Sequence, residues 1–339
     1  MRAAVAMRTL EGLDPGALPL EALVDAGEPA VLRGIVRDWG LVQAGLRGSH
    51  EAMAYLRRFD AGLPVPYSFG GPAIEGRPFY TADFTALNVE VRRGVLTEVL
   101  EAISDHLASP SPPTYYVASL PVARALPGFT DHNDAGLAGQ GIDAPASIWI
   151  GNRVTASCHY DTPQNLACCT VGRRRFTLFP PEQIENLYPG PMDPTPGGQV
   201  VSVVDFDRPD FDLHPRFSDA LASAQTAELE PGDAIFIPSL WWHHVRSLDP
   251  FNVLVNYWWR RSPSMLASPL PALQHAMWAL RDLPTREKQA WASIFDYYVF
   301  GPAERAGQHL PEAARGELAP FDTTQARRMR ARLLALLNR

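Results

Sequence analysis

The residues with the clearest capacity for chemistry are His159 and Asp161, two positions apart in the segment CHYDTPQN at positions 158–165. The segments on either side, ASIWIGNRVT and FTLFP, are typical of buried strands because large apolar residues alternate in them. Residues two apart on a strand point to the same face, so His159 and Asp161 are predicted to share an interior surface. A carboxylate is costly to bury alone, so the pair predicts either an ion pair or a metal site.

A pair of adjacent histidines further along the chain could supply the missing ligand of such a site. His243 and His244 stand together in PSLWWHHVRSL, just after a further predicted strand. Two imidazoles and one carboxylate on one face form the ligand set of non-haem Fe(II) oxygenases, which leaves positions open for a co-substrate and oxygen. An isolated H-x-D is more often a surface hydrogen bond, and the joint pattern of strands and ligands is what favours metal. The rival ligands Cys158, Cys168 and Cys169 are expected to be small buried residues.

The elements that must position these residues are short strands separated by proline and glycine, which number 32 and 25 among the 339 residues. Such punctuation without intervening helices predicts an antiparallel sandwich or barrel and not a parallel α/β sheet. Helices are expected on both sides of it, since apolar residues recur every three or four positions near both ends of the chain. The predicted strands cover positions 114–120, 147–152, 174–180, 199–206, 227–238 and 251–259.

This change of pattern along the chain predicts three regions. Positions 1–113 are expected to form helices and a strand that pack on the barrel, positions 114–261 the barrel itself, and positions 262–339 a helical region. Aromatic residues are dense in the second C-terminal helix, which includes Trp291 and Phe295. They are expected either to pack on the β core or to form a homodimer through these helices.

Composition limits the partners and the compartment. The net charge of -7 provides no general attraction for nucleic acid or an anionic membrane, so a nucleic-acid partner is disfavoured. No apolar stretch is long enough to span a bilayer. Positions 1–16 lack the apolar run of a signal peptide, and three cysteines without a pairing pattern favour a reducing cytosol. We therefore expect a cytoplasmic protein.

Two longer segments carry a family resemblance, HYDTPQNLACCTVGRRRFTLFPP and PGDAIFIPSLWWHHVRSLDPFNVLVNYWW. They resemble the cupin-like JmjC family of 2-oxoglutarate oxygenases, and within it the asparaginyl hydroxylases, over positions 29–260. The resemblance implies a mainly β fold, the double-stranded β-helix or jelly roll, with flanking helices. It implies the metal ligands His159, Asp161 and His243, because the family's ligand is the histidine directly after tryptophan. His244 would then be a neighbour of the ligands or face outward.

The same resemblance implies a pocket for 2-oxoglutarate. Its distal carboxylate would pair with Arg174, where relatives carry a lysine, and arginine holds a carboxylate through two parallel hydrogen bonds. Asn165 and Asn256 match asparagines near the metal and the co-substrate. A tyrosine and a hydroxyl complete the set, Tyr116 with Tyr115 as its alternative and Ser157 with Thr155 as its alternative.

The implied activity is hydroxylation. An Fe(II)- and 2-oxoglutarate-dependent oxygenase would hydroxylate a C–H bond of a protein or peptide side chain, or of a small molecule, and release succinate and CO₂. Positions 66–84 and 129–141 are expected to rim the mouth of the barrel, because aromatic and glycine-rich loops suit a substrate groove. A function of another class also fits the residues: a non-catalytic metal-binding cupin module or a dimeric scaffold, which Arg174 in place of lysine favours.

Overall fold

The computed structural model describes residues 5–338, which divide into two compact units between Trp259 and Arg260. The first four residues, which belong to the segment analysed for a signal peptide, and Arg339 lie outside the described part. Within residues 5–338, no helix combines the length and the apolar character that crossing a bilayer requires.

The described strands and helices alternate irregularly along the chain. The strands are β1 Val5–Ala6, β2 Arg8–Leu10, β3 Ala30–Leu32, β4 Pro64–Gly70, β5 Glu90–Val95, β6 Thr114–Pro121, β7 Ala146–Gly151, β8 Thr155–Tyr160, β9 Gln164–Val171, β10 Arg174–Phe179, β11 Gln225–Leu229, β12 Ala234–Ile237, β13 Trp242–Ser247 and β14 Asn252–Trp259. The helices are α1 Leu20–Ala26, α2 Gly40–Arg47, α3 Ser49–Arg57, α4 Leu96–Ser104, α5 Val122–Ala125, α6 Phe217–Ala222, α7 Pro269–Leu280, α8 Thr285–Phe295 and α9 Thr323–Leu337.

The first unit is a jelly roll made of two sheets. Within the described residues, one sheet has nine strands in the order β2-β3-β12-β9-β14-β7-β6-β4-β5, and the other has five in the order β1-β11-β10-β13-β8. Their central pairs are antiparallel. Side chains of both sheets pack together between them, for example Phe176 and Leu178 of β10 against Ile235 of β12 and Leu254 of β14. The predicted double-stranded β-helix is therefore confirmed.

Strand β9 is buried on both of its faces, because helices cover the outer face of the nine-stranded sheet. Leu166 and Cys168 belong to the cluster that also contains the buried residues of α1 to α4, whereas Ala167 and Cys169 face the space between the sheets. This arrangement accounts for the continuous apolar run LACC, since a strand covered on both faces has no solvent side. The residues before Thr114 thus contribute both the covering helices and five strands of the two sheets.

Two loops that the sequence predicts at the mouth of the barrel have other structures. The segment Pro64–Gly70 is strand β4, which pairs with β5 along its length and with β6 only from Ser68 onward. Pro64 and Pro66 therefore lie where the strand has a single neighbour, which is where a sheet tolerates proline. Positions 129–141 form short 3₁₀ turns whose Phe129 and Leu137 are buried in the core beneath the helices.

The prediction of a strand at positions 199–206 is wrong. Only isolated bridges form there, from Val201 to His159 and from Ser202 to Pro189. The extended run then ends at Asp205, whose carboxylate accepts hydrogen bonds from the backbone N–H groups of the two residues that follow Phe206. Such a side-chain turn competes with strand pairing.

The second unit consists of α7, α8 and α9 with a single π-helical turn at Asp296–Phe300. Several of its large apolar side chains are exposed, including Trp278 at 79% and Phe300 at 77%. The homodimer predicted for these helices stays a prediction.

Candidate metal centre

Two neighbouring strands bring the three predicted metal ligands together. His159 lies on β8, Asp161 directly follows that strand, and His243 lies on β13, where it is the cross-strand partner of His159. One potential ligand atom from each residue lies within 4.8 Å of the others. The Asp161 Oδ2 to His243 Nε2 distance is 3.6 Å, and the two imidazole centroids are 4.3 Å apart. This cluster is compact enough for all three residues to coordinate one ion.

Backbone carbonyl groups fix which nitrogen of each histidine faces the site. His159 Nδ1 lies 2.8 Å from the carbonyl oxygen of Ser157, and His243 Nδ1 lies 3.0 Å from that of Trp241. A carbonyl oxygen only accepts, so each Nδ1 carries the proton and donates it. Both Nε2 atoms are left with free lone pairs, which is the usual arrangement of metal-binding histidines.

A bulge in β8 aims the side chains beside the ligands. The register of β8 against β13 shifts between His243 and Val245, so the step from His159 to Ala156 opposes a shorter step on the partner strand. Ala156 and His159 therefore line the same cavity, although they are three positions apart. We call this the inner cavity, and Asp161, His243 and Arg174 line it as well. Bulges of this kind redirect side chains next to active sites.

Burial keeps His243 in the form that binds metal. Its pKa is lowered to about 4, chiefly by burial and also by the neighbouring His159 ring, while the Asp161 carboxylate acts in the opposite direction. His243 is consequently neutral near pH 7, with its Nε2 lone pair available.

Arg174 is a buried cation without a counter-ion. Its residue is 4% exposed, it lines the inner cavity, and its Nε has no hydrogen-bond partner. The described residues offer its guanidinium no ion pair, and burial lowers its pKa. Gly172 places it there, since its left-handed backbone at φ 67° makes the turn between β9 and β10, and a Cβ would lie 2.6 Å from the Phe251 carbonyl oxygen.

The other wall of this inner cavity is a hydrogen-bonded amide pair. The Asn256 Nδ2 donates to Asn165 Oδ1 at 3.1 Å, and the Trp149 Nε1 donates to Asn256 Oδ1 at 2.7 Å. Tyr116 lines the cavity as well, and burial raises its pKa to about 12. Tyr115 points elsewhere and packs its ring against Phe69. The structure thus brings Arg174, Asn165, Asn256 and Tyr116 together with the metal ligands.

Ser157 and Thr155 lie in a separate, outer cavity of about 340 Å³. The outer cavity shares His159, Tyr116, Trp149 and Ala156 with the inner one, which is narrower at about 50 Å³. The bulge is the reason for the displacement, because it turns Ser157 away from the face that Ala156 occupies. Neither predicted hydroxyl therefore lines the cavity of Arg174.

The outer cavity has walls without charge. Among the described residues that line it, the only ionisable side chains are those of His159 and Tyr116. Its hydrogen-bonding groups are hydroxyl and amide groups, and the Ser157 hydroxyl is buried without a partner. Of the two loops predicted to rim the mouth, positions 66–84 contribute Ser68 and Pro78, and positions 129–141 contribute none of the described lining residues.

Two tryptophans of the inner cavity were not anticipated from the sequence. Trp149 on β7 and Trp258 on β14 line it, and the Trp258 Nε1 is buried without an acceptor. A signal was available for Trp258, since it lies two positions after Asn256 on one strand and so shares its face.

The three cysteines are not among the clustered ligands, and all are buried free thiols. Burial raises the pKa of Cys169 to about 12 and raises the pKa values of Cys158 and Cys168 as well. Thiols react as thiolates. We expect the native protein to react negligibly with Ellman's reagent at pH 8 and to react at three thiols after unfolding in guanidinium. Rapid titration of one thiol in the folded protein would contradict this expectation.

Comparisons with known proteins agree with this geometry. The family described as the cupin-like domain matches residues 16–265. The lysine-specific demethylase JMJ31 of Arabidopsis thaliana is 36% identical over 115 residues, which cover 34% of this chain and 20% of the relative. The HSPB1-associated protein 1 of Homo sapiens is 38% identical over 115 residues, 33% of this chain and 23% of the relative.

A third relative is named for a different role. The tRNA wybutosine-synthesizing protein 5 of Danio rerio is 40% identical over 106 residues, 31% of this chain and 29% of the relative. The matches thus span less than a third of the length of each of these curated relatives.

Proposed function

Because the chain belongs to the cupin-like domain family, of the JmjC type, we propose that it is an Fe(II)- and 2-oxoglutarate-dependent oxygenase that hydroxylates a C–H bond. Relatives named as demethylases and as a tRNA-modifying protein support oxygenase chemistry in general. Within that chemistry we propose hydroxylation as the reaction, with a substrate whose nature is inferred below from the outer cavity.

The observation that carries the proposal is the buried, unpaired guanidinium of Arg174. A charge taken out of water without a partner is costly, so the site needs an anion to be stable. The distal carboxylate of 2-oxoglutarate fits this need, because arginine binds a carboxylate through two parallel hydrogen bonds. The inner cavity, of about 50 Å³, is lined by both the metal ligands and Arg174, as a co-substrate that binds the metal at one end and the guanidinium at the other requires.

The three clustered side chains form a ligand set that fits iron. His159, Asp161 and His243 provide two imidazole nitrogens and a carboxylate without a thiolate, the set typical of non-haem Fe(II) sites. When bound, iron and 2-oxoglutarate would supply the oxidation, with succinate and CO₂ as co-products. The protein's own task is to hold and orient them and to exclude water.

Individual side chains of the inner cavity have distinct parts in that task. Arg174 would neutralise the distal carboxylate, and Tyr116, which stays protonated because burial raises its pKa to about 12, would donate its hydroxyl proton to an oxygen. The Trp258 N–H, buried without an acceptor, offers a further donor. Asn256 donates to Asn165 and accepts from Trp149, and these two hydrogen bonds hold that wall in place.

The uncharged outer cavity supports a substrate that presents a neutral group to the metal. A methylated ammonium group would find no carboxylate there apart from the metal ligand, and a phosphate backbone would find no lysine or arginine. We therefore favour a protein or peptide side chain, or a small molecule, that forms hydrogen bonds with hydroxyl and amide groups. The net charge of -7 also disfavours nucleic acid.

The test of the proposed function has two steps. Adding Fe(II) and 2-oxoglutarate to the protein without oxygen is expected to produce a visible charge-transfer band. Admitting oxygen should then release succinate, even without a substrate. Absence of both signals would refute the oxygenase proposal. A band without succinate would favour the alternative of a non-catalytic metal-binding module or scaffold.

A further inference from the structure

A third cavity, called the outer-face cavity below, lies on the outer face of the five-stranded sheet, on the opposite side of that sheet from the metal centre. It has a volume of about 810 Å³, within the usual range of about 300–1,000 Å³ for small-molecule sites. Outward-facing residues of β10, β11 and β13 form its floor, and the segment from Phe206 to Ala224 forms its wall. The two cavities share strands β10 and β13 but no described lining residue.

Aromatic rings form the apolar part of this outer-face cavity. Phe206 stacks on His244 with ring centroids 4.6 Å apart and an interplanar angle of 16°. Phe217 lies 4.8 Å from Phe206, and Phe211 is half-exposed at the edge. These rings give the cavity an aromatic wall that an aromatic ligand would contact favourably.

His244 supplies a polar group inside this apolar wall. It is 8% exposed and lines the cavity, although it directly follows the metal ligand His243 on β13. No hydrogen bond joins its imidazole to any residue of the described part of the chain. A recessed imidazole without a partner is expected to find one in a ligand, because buried polar groups are normally hydrogen-bonded.

Two arginines, each paired with a carboxylate, also line this cavity, as does Asp207, the carboxylate partner of Arg246. Arg175 and Arg246 are direct cross-strand partners on β10 and β13, an arrangement that is unfavourable without neighbouring anions. Arg175 donates its Nε and Nη2 to Glu228 Oε1, and Arg246 donates its Nη1 to Asp207. The Arg175 Nη1 and the Arg246 Nε and Nη2 have no acceptor among residues 5–338. These N–H groups remain free to bind an anion.

We propose that this outer-face cavity is a second small-molecule site, for a flat aromatic molecule that bears one anionic group such as a carboxylate or sulfonate. The ring system would stack beside Phe206 and His244, and the anion would bind the free N–H groups of Arg175 and Arg246. The proposal goes beyond oxygenase activity and does not depend on it, because no metal ligand or residue of the inner cavity takes part.

The proposal is tested with 8-anilino-1-naphthalenesulfonate as a fluorescent reporter and 2-naphthoate as a competitor on the full chain. We expect saturable binding of one reporter molecule and its displacement by 2-naphthoate, with neutral 2-naphthamide roughly 10-fold weaker or more. Thr226→Trp fills the cavity from an exposed strand position and should abolish this binding. Val91→Trp places the same side chain on exposed strand β5, outside the cavity, and should leave it unchanged.

A second variant keeps the test decisive if Thr226→Trp does not fold. Arg246→Gln retains size and polarity and is expected to weaken 2-naphthoate at least roughly 10-fold, with little effect on 2-naphthamide. The proposal is overturned if Thr226→Trp folds and binds the reporter as the wild type does. Equal affinity for the carboxylate and the amide, or equal losses of both in Arg246→Gln, would also overturn it.

Discussion

The Asp161→Ala variant is expected to lose at least about 100-fold in iron affinity and to show no detectable succinate release. Asp161 is the only anion among the three clustered ligands, so its loss leaves two neutral imidazoles to hold a divalent ion. Removing an outer partner of a metal ligand already costs about 10–100-fold, and removing the ligand itself must cost more. Titration of Fe(II) without oxygen and measurement of succinate with oxygen report the two effects separately.

Asp219→Ala is the matched control, because Asp219 is an exposed aspartate on α6 in the same unit of the protein. It should bind iron and release succinate as the wild type does. Wild-type iron affinity in Asp161→Ala, with its folding verified by circular dichroism, would exclude the assigned metal centre.

Arg174→Met is expected to change two quantities in opposite directions. Affinity for 2-oxoglutarate should fall by about 3–5 kcal/mol, or roughly 150- to 4,000-fold, since the carboxylate would be buried without its cation. Without co-substrate, the same variant should unfold at a higher urea concentration, because an apolar side chain replaces a buried charge that lacks a partner. A purely structural role for Arg174 would instead lower the stability.

The affinity is measured by calorimetric titration of the Mn(II)-loaded protein with 2-oxoglutarate. The stability is measured by urea unfolding of the protein without metal or co-substrate. Arg175→Met is the matched control, since Arg175 is the next residue on β10 but faces the opposite side of the sheet. Its affinity for 2-oxoglutarate should equal that of the wild type. Unchanged affinity in Arg174→Met would show that another group binds the distal carboxylate.

The sequence was sufficient to predict the jelly roll and the family. The paired segments around His159 and His243 contain strand patterns and ligand spacing that few other folds combine. Alternation along β10 places Arg174 on the same face as Phe176 and Leu178, whose apolar side chains identify that face as the inner one. Periodicity along the chain is enough for the antiparallel sandwich or barrel and for the direction of Arg174, whereas the jelly roll and the family rest on the resemblance of the two motif segments.

Features that depend on non-local pairing were beyond the sequence. The bulge in β8 is visible only as a register shift against β13, and it places Ala156 in the inner cavity where alternation from His159 would place Ser157. Strand β4 was missed because Pro64 and Pro66 are typical of loops, and only the absence of a second neighbour at that point makes them acceptable. In both β8 and β4, pairing with neighbouring strands decides the structure against the local preference of the residues.

The hydrogen bonds from the two histidine Nδ1 groups to backbone carbonyls have a consequence for the maturation of the protein. They orient both rings through carbonyl groups only two residues away along the chain, those of Ser157 in β8 and of Trp241 just before β13. Zinc fingers show the contrary order, since their chains gain structure only on acquiring metal. Because the contacts that orient the two imidazoles come from the chain itself, we expect the protein to fold without metal, and removal of metal to abolish activity without unfolding the first unit.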